Sequence, residues 1–209
     1  MRWLTKELEF PKLETSTEEG IIALGGDLSV ERLLLAYKKG IFPWFSEDSP
    51  IIWWSPDPRF VLFPEKLKVS KSMKRFLNNS NLTITYNHDF ESVIENCSEI
   101  YRPGQGGTWI SDEMKQSYIQ LHKMGYAKSV EAYLDNELVA GLYGIDLNNG
   151  MFCGESMFTN VSNASKAAFI TFIQNTNYKL IDCQVYTPHL ESLGAEEIPR
   201  DEFLNCLEA

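Results

Sequence analysis

The sequence predicts an α+β fold: a mixed sheet with flanking helices, preceded by a small N-terminal α/β domain. Three observations carry that prediction. From residue 82 onward, alternating and helical hydrophobic patterns follow one another in the order β-α-α-β-β-β-α-β-α. Upstream, Ser55-Pro56-Asp57-Pro58-Arg59 forms a proline-bounded break that no regular element crosses. The composition is that of a globular chain, with 209 residues, 44% hydrophobic and 23% charged, long enough to bury a core without metal or disulfide.

Residues 1–19 are polar and read as irregular. Ser29 is placed to cap a helix with Glu31 in its first turn and Gly40 at its end, Leu33, Leu34, Tyr37 and Ile41 forming its apolar face. The Gly25-Gly26-Asp27 turn before it completes neither the Walker nor the dinucleotide pattern. An aromatic stretch follows, in which Trp53 and Trp54 are expected to pack the domain junction. Phe60–Phe63 reads as a short strand closed by Pro64, so the expected units are 1–63 and 64–209.

In the second unit, strands are expected over Leu82–Tyr86, Lys128–Leu134, Leu138–Ile145, Met151–Phe158 and Leu180–Tyr186. Asp135-Asn136 and Asn149-Gly150 supply the hairpin turns. Helices are expected over Asp89–Ser98, from the cap Ser111 to Gly125, over Asn163–Thr176 capped by Asn163, and over Arg200–Leu207.

Several function classes are excluded early. The four cysteines lack zinc-ligand or redox-motif spacing and read as reduced core thiols. None of the three histidines lies four residues from another, which argues against a zinc enzyme. No leader-like N-terminus and no long apolar run occur, so a cytoplasmic chain free of the membrane is expected. The net charge of −10 disfavours generic nucleic-acid binding. One window runs against it: Lys66, Lys68, Lys71, Lys74 and Arg75 place five cations in ten residues with no acid among them. A solvated helix face, Ser70 to Asn78, and a phosphate-binding patch both fit that run.

The element order resembles the acyl-CoA N-acyltransferase-like fold. Members that use coenzyme A hold its pyrophosphate in a glycine-rich loop between the fourth strand and the next helix. Here that stretch is Thr159-Asn160-Val161-Ser162-Asn163-Ala164-Ser165-Lys166, with no glycine, so another acyl carrier is indicated.

Eight stretches then occur in order: LGGDLSVERLLLAYKKGIFPWF (24–45), IIWWSPDPRFVLFPEKLKVSKSMKR (51–75), GTWIS (107–111), AGLYGI (140–145), FCGESMF (152–158), NASKAA (163–168), LIDCQV (180–185) and HLESLGAEEIPR (189–200). Together they resemble the leucyl/phenylalanyl-tRNA–protein transferase family. The resemblance implies transfer of a leucyl, phenylalanyl or methionyl group from tRNA to proteins with N-terminal Lys or Arg, for N-terminus-dependent degradation. It implies no cofactor, since the ester is already activated, and a monomer is expected. Lys68 and Lys128 stand where histidines are expected, each adding charge of the sign tRNA requires, and the chain ends at Ala209 without the expected tail.

The resemblance puts catalysis on Asp182 and Gln184. Two apart on a strand, they are expected to share one sheet face, with Glu155 binding the acceptor's charge or holding the pair in place. Gln184 is expected to accept a hydrogen bond from the attacking amine. Asp182 is expected to orient Gln184 and stabilise the cationic intermediate, the proton leaving to water or to the ribose oxygen. Read from residues alone, Asp182 and Glu155 also fit buried polar groups satisfied by backbone donors. Leu142, Phe152, Met157, Phe169, Phe172 and Ile181 are nominated for the aminoacyl slot, although Phe169 and Phe172 also have ordinary core spacing. Trp44, Trp109 and Tyr118 are nominated to grip the terminal adenosine. The basic window is expected to meet tRNA phosphates independently of sequence.

Overall fold

A computed structural model describes residues 2–46, 48–100 and 110–208. Among these, the strands form two sheets. The first holds β1 (Arg2–Leu4), β2 (Ile21–Gly25), β3 (Phe42–Pro43) and β4 (Ile52–Trp54) in the order β1-β2-β4-β3, with α1 (Val30–Lys38) inserted after β2. Residues expected to be irregular thus supply an edge strand, β1, too short to show alternation.

Ser29 does cap α1, accepting from the Arg32 N–H at 3.4 Å, and Gly40 lies one residue past the C-cap with φ 70°. Asp27 accepts from the Ser29 N–H at 3.0 Å and from Arg32 Nη2 at 3.1 Å, so the Gly-Gly-Asp turn organises a helix start. Trp53 is fully buried, meets Phe10 edge-on at 4.9 Å and donates to the Gly25 carbonyl at 2.8 Å.

The second sheet begins with β5 (Arg59–Leu62). The chain continues through α2 (Lys71–Asn79), β6 (Thr83–Tyr86), α3 (Phe90–Glu99), α4 (Asp112–Lys123), β7 (Ala127–Leu134), β8 (Glu137–Asp146) and β9 (Met151–Thr159). It ends with α5 (Ala164–Asn175), β10 (Leu180–Gln184), α6 (Pro188–Glu191), β11 (Glu196–Ile198) and α7 (Arg200–Glu208). The strand order is β11-β5-β10-β9-β8-β7-β6; β9 and β10 are parallel and the other pairs antiparallel. β5, assigned from sequence to the N-terminal unit, therefore lies in the second sheet, and sheet membership changes between Trp54 and Arg59. β11 and α6 were not expected.

Local chemistry explains most element ends. Ser70, Asp89 and Ser111 cap their helices, each side chain accepting an N–H three residues on at 3.2 Å. Asp135 and Asn136 both have positive φ, the requirement of the tight hairpin turn expected there. Asn163 does not cap α5 as expected: its φ is 66° and its side chain makes no cap bond. β10 stops at Gln184 (φ 65°), two residues short of the expected strand.

The sheet separates two apolar layers. One face packs on α5 and α2; the other meets α3 and α4 and merges with the N-terminal unit and α7. Arg200, at the head of α7, ties these parts together by donating to Ser16 Oγ at 3.1 Å and to the Ser55 carbonyl at 2.8 Å. None of the four cysteines is in a disulfide. Among the described residues, no helix is long and apolar enough to cross a membrane.

Candidate active site

The parallel strands β9 and β10 pair only as far as Asp182 opposite Cys153, yet β9 continues to Thr159. Two irregularities open the gap beyond. Tyr143 faces Ser156 and Gly144 faces Gly154, which leaves Glu155 as an extra residue on β9. Asp182 faces Val61 and Gln184 faces Phe60, which leaves Cys183 as an extra residue on β10. Such bulges bend a strand and re-aim its side chains. Gly144 permits the first one, because a Cβ there would collide with the Cys153 carbonyl and come within 2.6 Å of the Phe152 ring. The result is a cleft of about 430 Å³ whose walls include Glu155, Asp182 and Gln184.

The second bulge overturns the expected geometry of the pair. Cys183 is surplus between them and Gln184 leaves the strand conformation with φ 65°, so period-2 alternation does not relate Asp182 to Gln184. Asp182 instead turns to Arg59, which donates from Nε to Oδ1 at 2.8 Å and from Nη2 to Oδ2 at 2.7 Å. Both residues are 1% exposed. The guanidinium also donates to the Gly40 carbonyl at 3.2 Å and lies between the rings of Phe42 (4.7 Å) and Phe203 (4.5 Å). Asp182 Oδ1 further accepts the Gln184 backbone N–H at 2.9 Å. Asp182 thus anchors the backbone of Gln184, and its charge is matched by Arg59 rather than kept for a cationic intermediate.

The Gln184 side chain meets Glu155 instead. Its Nε2 donates to Glu155 Oε1 at 2.7 Å, while Tyr118 Oη donates to Oε2 at 2.9 Å and is itself bonded to Tyr37 Oη. A carboxylate only accepts, so the amide nitrogen must face Glu155 and the amide oxygen is turned away as an acceptor. Burial pushes the Glu155 carboxyl up to about 7; the Tyr37 and Tyr118 hydroxyls pull it down, the Asp182 charge adds to the rise and Gln184 opposes it. Burial also pushes the Cys183 thiol far up, so it is no nucleophile at neutral pH.

Leu142, Phe152, Met157, Phe169 and Ile181 line the cleft. Phe172 does not: it packs behind Phe152 with ring centroids 4.7 Å apart, the core spacing of α5 having aimed it away. Trp44 lies in the cleft wall, 38% exposed, with its ring 5.7 Å from that of Trp54. Tyr118 is fully buried with its hydroxyl on Glu155 and offers no face for a base to stack on. Trp109 lies outside the described residues.

Of the basic window, Lys66 is ion-paired with Glu196. Lys68, Lys71, Lys74 and Arg75 are exposed and, among the described residues, join no ion pair. Sequence reasoning missed Arg59 and, as a site residue, Tyr37. A charged residue opening an otherwise apolar strand was the available signal for Arg59; for Tyr37 nothing separates a core phenol from a functional one.

An apolar-walled cleft between splayed parallel strands, with a carboxylate–amide pair in its wall, is suited to holding an acyl group beside an amine. Comparison with known proteins identifies the family. The profile of the leucyl/phenylalanyl-tRNA protein transferase family matches residues 61–208, and that of its N-terminal domain matches residues 26–57. A leucyl/phenylalanyl-tRNA–protein transferase of Flavobacterium johnsoniae is 58% identical over all of both chains. That of Flavobacterium psychrophilum is 54% identical over 99% of each. A GCN5-related N-acetyltransferase from Kribbella flavida aligns at 13% identity and TM-score 0.40, over 78% of this chain and 58% of its own, too remote to add to the assignment. The chain belongs to the leucyl/phenylalanyl-tRNA protein transferase family.

Two stability predictions follow from this geometry. Gly144→Ala should lower the unfolding free energy by about 1–3 kcal/mol, the usual range for overpacking, in denaturant titration. Arg59→Met should lower it by about 3–5 kcal/mol by stranding a buried carboxylate, and adding Asp182→Leu should recover at least half of that loss.

Proposed function

We propose that the cleft holds the aminoacyl ester of a charged tRNA beside the α-amine of an acceptor protein, and that Glu155 receives the proton that the amine loses. The chain is an aminoacyltransferase: it moves leucine or phenylalanine from tRNA to proteins with N-terminal Lys or Arg, committing them to N-terminus-dependent degradation. The observation that carries the residue assignment is the 2.7 Å contact from Gln184 to Glu155 in the wall of an otherwise apolar cleft.

The ester is already activated, and an α-amine with a pKa of about 7.7–8.0 is partly neutral at cell pH, so positioning dominates the barrier. The amide oxygen of Gln184 accepts from the amine and aims its lone pair at the ester carbonyl. As the C–N bond forms, nitrogen becomes cationic and gives one proton to Glu155. When the C–O3′ bond breaks, that proton goes to the leaving ribose oxygen, which leaves Glu155 ionised. An amide is too weak a base for this exchange, whereas a carboxyl near 7 can run it in both directions.

Leu142, Phe152, Met157, Phe169 and Ile181 are proposed to take the acyl side chain. Such a slot favours Leu, Phe and Met over β-branched Ile and Val by roughly 1–3 kcal/mol. Trp44 is proposed to stack on the terminal adenine, and Lys68, Lys71, Lys74 and Arg75 to meet phosphates. The acidity of the remaining surface then favours a Lys- or Arg-headed acceptor over an acidic one.

Labelled leucine should pass from charged tRNA to an Arg-headed peptide with no added cofactor and not to the matching Asp-headed peptide. Equal transfer to both would refute the acceptor assignment. Glu155 is protonated below about 7, so turnover should fall as pH drops through that value. Glu155→Gln should lower kcat by about 10²–10⁴-fold and remove the component of the acidic limb near 7, leaving that of the acceptor amine. Replacing Lys71, Lys74 and Arg75 by Ala should raise KM for aminoacyl-tRNA and reduce the salt slope of kcat/KM by about 1 per lost contact.

A further inference from the structure

The hydroxyl chain that ends on Glu155 starts outside the acyltransferase-like sheet. Tyr37 belongs to α1 of the N-terminal unit and Tyr118 to α4; they are 2% and 0% exposed. Tyr118 gives its one proton to Glu155 Oε2 at 2.9 Å. Its oxygen is thereby left to accept, so in the Tyr37–Tyr118 bond the proton comes from Tyr37. Two bonded hydroxyls thus face one carboxyl, Tyr37 polarising Tyr118 and both favouring the ionised form of Glu155.

From this geometry we infer that Tyr37, together with Tyr118, is a positioning residue for the transfer: the paired hydroxyls hold Glu155 in the ionised form that accepts the amine proton. The inference rests on the role given to Glu155 above, and it makes the N-terminal unit part of the proton-accepting device. Pure packing would be served by phenylalanine at both positions, without two buried hydroxyls to satisfy. The phenols do not carry the proton away. Burial and the Glu155 charge hold both far above their ordinary range, so they remain donors.

The other groups around the carboxyl do not duplicate this function. From β10, Gln184 occupies Oε1, and Asp182 adds a negative charge that Arg59 of β5 matches from its far side. Tyr143 of β8 lines the cleft with its ring 5.5 Å from that of Tyr118. Cys153 of β9 and Cys183 of β10 are protonated thiols at neutral pH.

The test is the pH dependence of single-turnover transfer to an Arg-headed peptide in the full-length chain. Loss of a donor to a carboxylate raises its pKa, so the acidic limb in Tyr37→Phe should move to higher pH by roughly 0.5–1 unit, the equivalent of one hydrogen bond. Turnover lost at pH 7 should return at pH 8.5, and KM for aminoacyl-tRNA should not change. Tyr118→Phe should shift the limb in the same direction, and the double variant should shift it further than either single variant. A uniform fall in kcat at every pH, with the limb unmoved, would overturn the inference. A component near 7, over and above that of the acceptor amine, that persists in Glu155→Gln marks failure of the Glu155 reading itself. A component lost in Glu155→Gln but unmoved by Tyr37→Phe and Tyr118→Phe marks failure of this inference alone.

Discussion

The buried pair of Arg59 and Asp182 is the contact on which the rest of the site depends. Removing two full charges from water costs several kcal/mol per ion, and close attraction offsets this only when every donor and acceptor is matched. Here the match is complete for Asp182: two guanidinium nitrogens and the Gln184 backbone N–H reach its two oxygens. Arg59 collects the remaining support from opposite ends of the chain, with Gly40 and Phe42 on one side and Phe203 of α7 on the other. Gly40 belongs to this arrangement, since a Cβ there would stand 2.9 Å from the Phe203 ring. The pair therefore joins the N-terminal unit, the central sheet and the last helix at one point. A strained residue, Gln184 with φ 65°, hangs from that point by its backbone N–H.

That arrangement explains why the three polar residues of the cleft divide their work differently from the sequence-based expectation. Asp182 is neutralised and fixed, so it shapes the backbone. Gln184 is fixed at both its backbone and its amide nitrogen, which leaves its oxygen to select an incoming N–H. Glu155 alone combines an enclosed carboxyl with a proton affinity near neutrality. One carboxylate paired with a cation and another raised by burial is how neighbouring acids acquire separate roles.

Much of this was legible in the sequence, and the losses have specific physical causes. Caps at Ser29, Ser70, Asp89 and Ser111, and the Asp135-Asn136 turn, are local interactions between near neighbours, which a sequence displays directly. Glu155, Asp182 and Gln184 stood out as polar residues in apolar strands. Their relative geometry did not, because strand period 2 assumes a regular ladder and each bulge breaks that period at the residue of interest. Cys183 looks like any other strand residue, and only pairing with β5 reveals it as surplus. Tyr118 was nominated for the wrong task for a related reason: an aromatic ring in a matched motif suits stacking equally well, and only tertiary burial turns its hydroxyl inward. β5 was placed in the first unit because Pro64 closes it, whereas its sheet is decided by pairing with β10 and β11.

The bulges also connect architecture to chemistry. A regular ladder between β9 and β10 would satisfy their backbone groups and close the gap where the substrates must meet. Splaying them exposes an apolar wall drawn from β8, β9, β10 and α5, and the two extra residues turn a carboxyl and an amide toward that wall. Gly144 permits the approach on one side, and the Arg59–Asp182 pair holds the strained backbone on the other. The site is thus built from a deliberate defect in the sheet, stabilised from outside it. On the proposed function its groups need only modest chemistry because the substrate ester arrives activated, and what the fold must supply is a gap of fixed width with the Glu155 carboxyl in its wall.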